Sequence, residues 1–209
     1  MRGTFLLLFL FSACRPALDT PTYPSFSDWS DTADPFLTTT TFTTVEERLS
    51  IDVFYEGDAT ETIPIDGVST HYYIYENTYT ELTSSDRLEG VESARLVLGG
   101  SPWWGGGIHW DSPQDISDWT SFTLGFKSTS DVFANFDIGM TGGEVEVRLP
   151  AADYGWVADG EWHQLVLPLA DFADGGVALS SVTVGLLLVG ESAEPNAELL
   201  IDNVFLTKE

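Results

Sequence analysis

Short runs of alternating hydrophobic and polar residues, broken by turn residues, dominate the chain after residue 45. Residues 49–55 alternate in this way up to the turn sequence Glu56-Gly57-Asp58, and a second run covers residues 60–65. A period of two places successive side chains on opposite faces of a strand, so each run predicts a β-strand. The Asp66-Gly67 pair that follows predicts a hairpin.

Further runs of the same kind fill the rest of the chain. They cover residues 71–76, 93–98, 107–110, 122–127, 133–140, 144–149, 162–168, 182–189 and 198–206. Gly-rich and Pro-containing segments separate them, and residues 169–172 alone suggest a turn of helix. About eleven short strands with such turns predict an all-β domain over residues 45–209, a two-sheet antiparallel β-sandwich.

The first residues predict export. Arg2 precedes an apolar run over residues 5–11, and the small residues Ser12-Ala13 lead to Cys14. This order is typical of a secretory signal peptide, here residues 1–13, and the apolar run is too short for a permanent membrane span. Cys14 is the only cysteine, which rules out an internal disulfide.

The segment Phe11-Ser12-Ala13-Cys14 resembles a bacterial lipobox. The resemblance implies that Cys14 is acylated and that the protein is anchored in the cell envelope, at the outer membrane or cell surface, through lipid alone. An ordinary signal peptide with an incidental cysteine is the alternative. Residues 14–44 are rich in Thr, Pro, Ser and Asp, which predicts a flexible linker between anchor and domain.

The composition restricts the partners. Lys and Arg total 8 against 33 Asp and Glu, a net charge of −25, so nucleic acid is excluded and acidic polysaccharides are disfavoured. Neutral sugars and divalent cations remain as ligand classes. Hydrophobic residues make up 43% of the chain and Trp occurs 7 times, which suffices for a packed core and leaves aromatic rings for a binding face. We expect a monomer.

From about Tyr72 onward, five segments follow one another in a distinctive order: Tyr73-Ile74-Tyr75-Glu76, Leu88-Glu89-Gly90-Val91-Glu92-Ser93, Asp115-Ile116-Ser117-Asp118-Trp119, Asp159-Gly160-Glu161-Trp162-His163-Gln164 and Leu200-Ile201-Asp202-Asn203-Val204-Phe205-Leu206. This layout resembles that of the galactose-binding-like jelly-roll carbohydrate-binding modules that accompany plant-cell-wall hydrolases. The resemblance implies a non-catalytic domain that binds poly- or oligosaccharide.

The resemblance also implies a structural calcium ion. In such modules an early acidic strand and an Asp on the last strand hold the ion, and the matching residues are Glu76 and Asp202, with Glu89 as a further candidate. Asp202 lies in an apolar run, where an unpaired buried carboxylate would be costly. The alternative is that Asp202 faces solvent from an edge strand.

Two aromatic groups are candidates for the sugar site. The candidates are Trp103, Trp104, His109, Trp110 and Asp111 in the first group, and Tyr154 and Trp156 in the second. Sugar rings stack their C–H faces on indoles, and their hydroxyls need polar partners. Trp103 and Trp104 lie in a turn-like, Gly-rich stretch, and strand alternation turns His109 away from Trp110. Alternatively, these rings cap the open end of the sandwich or pin a loop to the core. The resemblance places Trp119 and Trp162 at core positions, outside the site.

A jelly-roll glycoside hydrolase or lyase that uses Glu144 and Glu146 is the alternative function. Glu144 and Glu146 fall on one face of a predicted strand, about 7 Å apart, as the paired acids of jelly-roll glucanases do. Those enzymes carry a third acid two residues on, where this chain has Arg148. A solvated edge of Glu, Glu and Arg explains the same residues. A structural or assembly lipoprotein of the cell envelope is the third candidate.

Overall fold

The structure is a computed structural model that describes residues 47–51, 54, 59–192 and 194–208. Twelve strands lie in this part of the chain: β1 (Glu47–Ile51), β2 (Glu61–Ile63), β3 (Thr70–Ile74), β4 (Tyr79–Ser84), β5 (Ser93–Leu98), β6 (Trp103–Gln114), β7 (Ser121–Lys127), β8 (Phe136–Gly142), β9 (Val145–Pro150), β10 (His163–Pro168), β11 (Val182–Glu191) and β12 (Glu198–Lys208). The helical segments are α1 (Leu169–Asp174) and four 3₁₀ turns, Tyr75–Asn77, Asp131–Phe133, Ala151–Tyr154 and Leu179–Ser181.

The strands form two sheets that pack as a β-sandwich, which confirms the predicted fold. One sheet has seven strands, in the order β10-β7-β12-β1-β2, with β5 also paired to β12 and β4 paired to β5. The other has five strands in the order β3-β6-β11-β8-β9. Every pairing is antiparallel except that of β1 with β2, which is parallel.

Alternation along the strands builds the core. On β7, Phe122, Leu124 and Phe126 point inward and are fully buried. On β12, Leu199 and Ile201 point inward, and a bulge follows in the pairing between Asp202 and Phe205. The bulge changes the alternation so that later inward residues are again apolar.

Three local predictions fail. β4 was not predicted, because its inward positions include the polar Glu81, its outward positions include Leu82, and it pairs only with β5 at the sheet edge. The Asp66-Gly67 segment does not form a hairpin, since β2 and β3 belong to different sheets. Trp103 and Trp104 begin a long strand rather than lying in a turn.

The Asp66-Gly67 segment instead crosses between the two sheets. Asp66 Oδ1 accepts hydrogen bonds from the amides of Val68, Ser69 and Thr70 at 2.8, 2.8 and 3.0 Å. These amides favour the charged carboxylate and hold the pKa of Asp66 well below its ordinary value. The turn residues do mark a change of chain direction, as predicted. The chain then enters the other sheet instead of returning to the same sheet.

A loop over residues 85–92 covers the outer face of the seven-stranded sheet. Asp202, buried on that face, accepts hydrogen bonds at Oδ2 from the amides of Leu88 at 2.7 Å and Glu89 at 3.1 Å. Asp86 in the same loop pairs with Lys127 at 2.8 Å and accepts from Nε1 of Trp162 at 2.9 Å. The loop is thus held against the sheet by two carboxylates.

The predicted signal peptide, Cys14 and the linker over residues 14–44 lie outside the described residues, so export and acylation stay predictions. None of the helices that the structure describes is long and apolar enough to cross a bilayer.

Candidate functional site

The alternation of β6 divides the first aromatic group between core and surface. Trp104 and Trp110 face inward, with exposed fractions of 1% and 3%. Trp103 and His109 are half-buried, and Asp111 is exposed, so these three lie on the outer face of the five-stranded sheet. The structure therefore leaves Trp103, His109 and Asp111 as site candidates.

The prediction that Trp104 and Trp110 line the sugar site is wrong, because both rings are packed into the core. Trp104 meets Phe133 edge-on at 5.4 Å between ring centroids and Phe136 at 5.7 Å. A Cβ at Gly190 would overlap the Trp104 ring, and one at Gly185 would overlap the Trp110 ring. These glycines of β11 make room for indoles that no ligand can reach.

The second aromatic group also belongs to the core and its rim. Trp156 is 3% exposed, and its Nε1 donates to the carbonyl oxygen of Phe133 at 2.6 Å. The Tyr154 hydroxyl donates to Asp171 Oδ2 at 2.7 Å, and burial together with this hydrogen bond raises the pKa of Tyr154 to about 12. Trp156 is buried and cannot line a groove, so this part of the predicted second lip is wrong, whereas the half-buried Tyr154 stays a prediction.

The outer face of the five-stranded sheet carries other rings that were not predicted as site residues. His71 and Tyr73 on β3 point outward, and Tyr75 follows at the end of that strand. Tyr73 is 46% exposed, stacks on His71 at 5.5 Å between centroids, and meets His109 edge-on at 5.1 Å. The alternation of β3 contained the signal, since Tyr73 and Tyr75 are two residues apart.

Tyr75 joins these rings to Trp103. Its hydroxyl lies 2.6 Å from His109 Nε2. A Cβ at Gly105 would lie 3.2 Å from the Tyr75 ring and 3.2 Å from the Trp103 ring, so the two rings converge above this glycine. We call the set His71, Tyr73, Tyr75, Trp103 and His109 the aromatic face.

Two polar side chains of the aromatic face, His109 and Tyr75, favour their neutral forms. Burial, and after it the nearby His71, lower the pKa of His109 below its ordinary value, which favours the neutral imidazole. Burial and the charge of Glu146 raise the pKa of the Tyr75 hydroxyl, so it stays protonated. A neutral hydroxyl and imidazole can each donate or accept a hydrogen bond.

Two glycines let neighbouring side chains lie close to the outer face of the sheet. Strand pairing aligns Tyr73, Gly107, Leu187, Gly139 and Arg148 across β3, β6, β11, β8 and β9. A Cβ at Gly107 would lie 2.9 Å from the Tyr75 hydroxyl, and one at Gly139 would lie 2.8 Å from Leu187 Cδ2. The Tyr75 hydroxyl and the Leu187 side chain fill the space that a side chain would take at these two positions, and the row from Tyr73 to Arg148 forms the floor of this face.

Charged side chains border this floor. Arg148 Nε donates to Glu146 Oε1 at 2.7 Å on β9, and Asp111 Oδ1 lies 3.3 Å from His71 Nε2 on the opposite border. Asp137 and Glu191 lie on outward positions of β8 and β11. Carboxylates thus outnumber the one guanidinium around the floor.

The candidate catalytic pair is not assembled as predicted. Glu144 lies in the turn between β8 and β9 with φ of 67°, outside the strand that carries Glu146. Glu146 is instead paired with Arg148. The two carboxylates therefore do not share one face of a strand, which was the basis of the glycosidase alternative.

The predicted calcium ligands find other partners. Asp202 accepts three backbone amides, since Asn203 donates to Oδ1 at 2.8 Å in addition to Leu88 and Glu89, and the Glu89 carboxylate lies 3.4 Å from Arg48. Glu76 is exposed in the Tyr75–Asn77 turn. Across the described ranges no three His, Cys, Asp or Glu side chains cluster as metal ligands. The carboxylates of Asp202 and Glu89 are thus already paired with protein groups, and the three predicted ligands do not form a cluster. Calcium binding stays an untested prediction.

Comparisons with known proteins identify the fold. The family 30 carbohydrate-binding module of a cellulosomal cellulase of Clostridium thermocellum superposes with a TM-score of 0.53 at 18% identity, over 79% of this chain and 98% of that module. A further family 30 module gives 0.54 at 17% identity, over 80% of this chain and 89% of the module. An exo-β-agarase gives 0.53 at 14% identity, over 76% of this chain and 25% of the enzyme.

No family model matches the sequence, and no curated protein matches it. The likeness at these identities is one of fold. The resemblance inferred from the order of landmarks along the chain is confirmed at that level: the domain has the jelly-roll fold of carbohydrate-binding modules.

Proposed function

We propose that this protein binds neutral poly- or oligosaccharide, without transforming it, on the outer face of the five-stranded sheet. The observation that carries the proposal is the aromatic face, in which the exposed Tyr73 ring lies beside His71 and His109. Tyr73 leaves 46% of its surface exposed on a sheet face, where a large ring gains little unless a partner covers it. The flat C–H face of a pyranose ring is such a partner.

The polar groups beside the rings suit the hydroxyls of a sugar. The Tyr75 hydroxyl and His109 imidazole can donate or accept, and the border carboxylates accept. Hydrogen bonds to charged acceptors are about twice as strong as those between neutral groups. Rings and acceptors together supply the stacking and the orientation that a sugar site needs.

The charge of the border restricts the ligand to neutral sugars. Asp111, Asp137, Glu146 and Glu191 stand against Arg148, whose guanidinium is already paired with Glu146. Uronate or sulfate groups would meet like charges, and the net charge of −25 opposes their approach. The family 30 modules that share the fold are carbohydrate-binding modules by name, which agrees with the proposal.

The proposal includes a place of action. The predicted signal peptide and acylated Cys14 would hold the domain at the cell surface, with the predicted linker as spacer. There the aromatic face would meet extracellular glycan. Radiolabelled palmitate incorporated by the wild-type chain and not by Cys14→Ser would support the anchor.

The test of binding is affinity electrophoresis in gels that contain mixed-linked β-glucan, glucomannan, xylan or agarose. Tyr73→Ala should abolish any retardation shown by the unchanged protein, because it removes the most exposed ring. Val166→Ala is the matched control, since Val166 is 52% exposed on the other sheet. Absence of retardation of the unchanged protein by these and by a broad glycan array would refute the proposal.

A further inference from the structure

A cavity opens at one end of the outer face, next to the aromatic face. Its volume is about 320 Å³, at the lower end of the range for small-molecule sites. Asp137 at the start of β8, Arg148 and Pro150 at the end of β9, and Glu191 at the end of β11 line it. Ala152 closes one side, so the Ala151–Tyr154 turn forms an end wall.

Strand register joins the cavity to the rings. Val189, which lines the cavity, pairs with Gly105, the glycine above which Trp103 and Tyr75 converge. Glu191 pairs with Trp103 itself. The half-buried indole of Trp103 therefore lies one strand away from the cavity, and a ligand on the aromatic face reaches the cavity without leaving the sheet.

The polar groups that line the cavity have unused hydrogen-bonding capacity. In the part of the chain that the structure describes, the side chains of Asn135, Asp137 and Glu191 make no hydrogen bond or ion pair within the protein. Arg148 is held through Nε by Glu146, which leaves its terminal nitrogens as donors. The cavity thus offers two carboxylates, an amide and a guanidinium to one ligand.

Its remaining walls are apolar. Val189, Pro150 and Ala152 present aliphatic carbon between the polar groups. This mixture matches a pyranose ring, which has an apolar face and a periphery of hydroxyls. A vicinal pair of hydroxyls can donate to both oxygens of one carboxylate, whereas a uronate in the same place would meet Asp137 and Glu191 as like charges.

We propose that this cavity is a distinct sugar subsite, which takes one neutral hexopyranose ring of the bound chain and recognises its vicinal hydroxyls through Asp137 and Glu191. The inference rests on the proposed function, because the cavity continues the aromatic face. The rings supply stacking along the chain, and the cavity supplies recognition of one ring by its hydroxyl pattern. The subsite therefore selects among neutral glycans that stack equally well.

The test uses the full chain and isothermal titration with ladders of cello-, manno- and xylo-oligosaccharides from dimer to hexamer. Affinity should rise with the length of the oligosaccharide. It should show one additional increase at the length at which a sugar ring reaches the cavity. The double variant Asp137→Asn/Glu191→Gln should lose that increase, about tenfold in affinity, because neutral amides accept weaker hydrogen bonds than carboxylates. Oligosaccharides too short to reach the cavity should bind both proteins equally.

The control Asp174→Asn/Glu161→Gln changes the net charge equally, at exposed residues of α1 and of the turn before β10. It should leave every affinity unchanged. If the cavity variant binds the whole ladder as the unchanged protein does, the subsite is refuted while binding at the aromatic face stands. If the unchanged protein binds none of the ladders and none of the polymers, the proposed function itself has failed.

Discussion

At the scale of single residues, rings that point outward are available to a ligand, and neighbouring rings that point inward stabilise the core. Tyr73 lies on the outer face with nearly half of its surface exposed, whereas Trp104, on the neighbouring strand, is 1% exposed. Burial of an indole stabilises the domain, and exposure of a phenol makes it available to a ligand. Binding and stability should therefore separate cleanly between these two residues.

Substitution of the two rings tests that separation. Trp104→Ala should lower the free energy of unfolding by about 3–5 kcal/mol, because it leaves a cavity among Phe133, Phe136 and Tyr79. Tyr73→Ala should change it by no more than about 1 kcal/mol and should remove glycan binding. Urea unfolding followed by fluorescence gives both values. Equal losses of stability would show that Tyr73 is a packing residue.

A glycine on the floor provides a second residue-scale prediction. A Cβ at Gly107 would lie 2.7 Å from the carbonyl oxygen of Leu186 and 2.9 Å from the Tyr75 hydroxyl. Gly107→Ala should therefore push the Tyr75 hydroxyl from His109, weaken glycan binding, and destabilise the domain by about 1–3 kcal/mol. The His109 imidazole signals in NMR spectra report the displacement. Unchanged signals and affinity would contradict the role of this glycine.

The sequence predicted in part which rings of β6 face the core and which face outward. Period-two alternation turned His109 away from Trp110, and the buried Trp110 agrees with it. The same rule applied from Trp103 onward would have buried Trp104, but three following glycines resembled a turn. Those glycines instead allow the Tyr75 ring and the Tyr79 hydroxyl to lie against the strand. Glycine next to aromatics reports close approach as well as turns, and only the fold distinguishes the two.

At the scale of elements, β3 and β4 enclose a buried polar group between the sheets. Glu81 on β4 lies near the Tyr72 hydroxyl, which is 2.8 Å from the Tyr79 hydroxyl. Burial raises the pKa of Glu81, and the hydrogen bond from Tyr72 offsets part of that rise. The folded state therefore binds the proton of Glu81 more tightly than the unfolded chain does.

That shift has a definite sign in the pH dependence of stability. A raised pKa of an acid contributes stability at low pH that is lost as pH rises through the folded value. Glu81→Gln should therefore raise the melting temperature at about pH 7 and change it little at about pH 4, where both side chains are neutral. Thermal unfolding across this range measures the effect. A larger gain at the acidic end would contradict the burial of this carboxylate.

Asp202, next to the bulge of β12, holds the loop over residues 85–92 against the seven-stranded sheet. Asp202 accepts the amides of Leu88 and Glu89, so Asp202→Asn should destabilise the domain by about 1–3 kcal/mol. Hydrogen exchange at the amides of Leu88 and Glu89 should accelerate most. If calcium instead raised the melting temperature of the unchanged protein and not of Asp202→Asn, the calcium prediction would be supported over this account.

Strand prediction succeeded where the core enforces alternation. β7, β10 and β12 lie within one or two residues of the predicted ranges, because most of their inward positions are apolar. β4 was missed since Tyr79 and Glu81 are its inward residues and Leu82 points outward with 45% exposure. Such an edge strand gains its order from pairing with β5, which its own pattern does not reveal.

At the scale of the whole molecule, the two outer faces of the sandwich differ. The loop over residues 85–92 covers much of the seven-stranded sheet through Asp86 and Asp202. The five-stranded sheet carries the aromatic face and the cavity beside it. The sequence predicted the sandwich and the family of folds it resembles. It could not predict which sheet is covered, because that depends on contacts between segments more than one hundred residues apart.

The placement of the glycan site is tested by comparing three variants with the unchanged protein on one neutral polysaccharide that retards the full chain. We predict that Tyr73→Ala and Trp103→Ala each lose binding while retaining the melting temperature of the unchanged protein. Val166→Ala, on the other sheet, should bind and melt as before. Full binding by both ring variants, or equal loss in Val166→Ala, would contradict the placement of the glycan site on the five-stranded sheet.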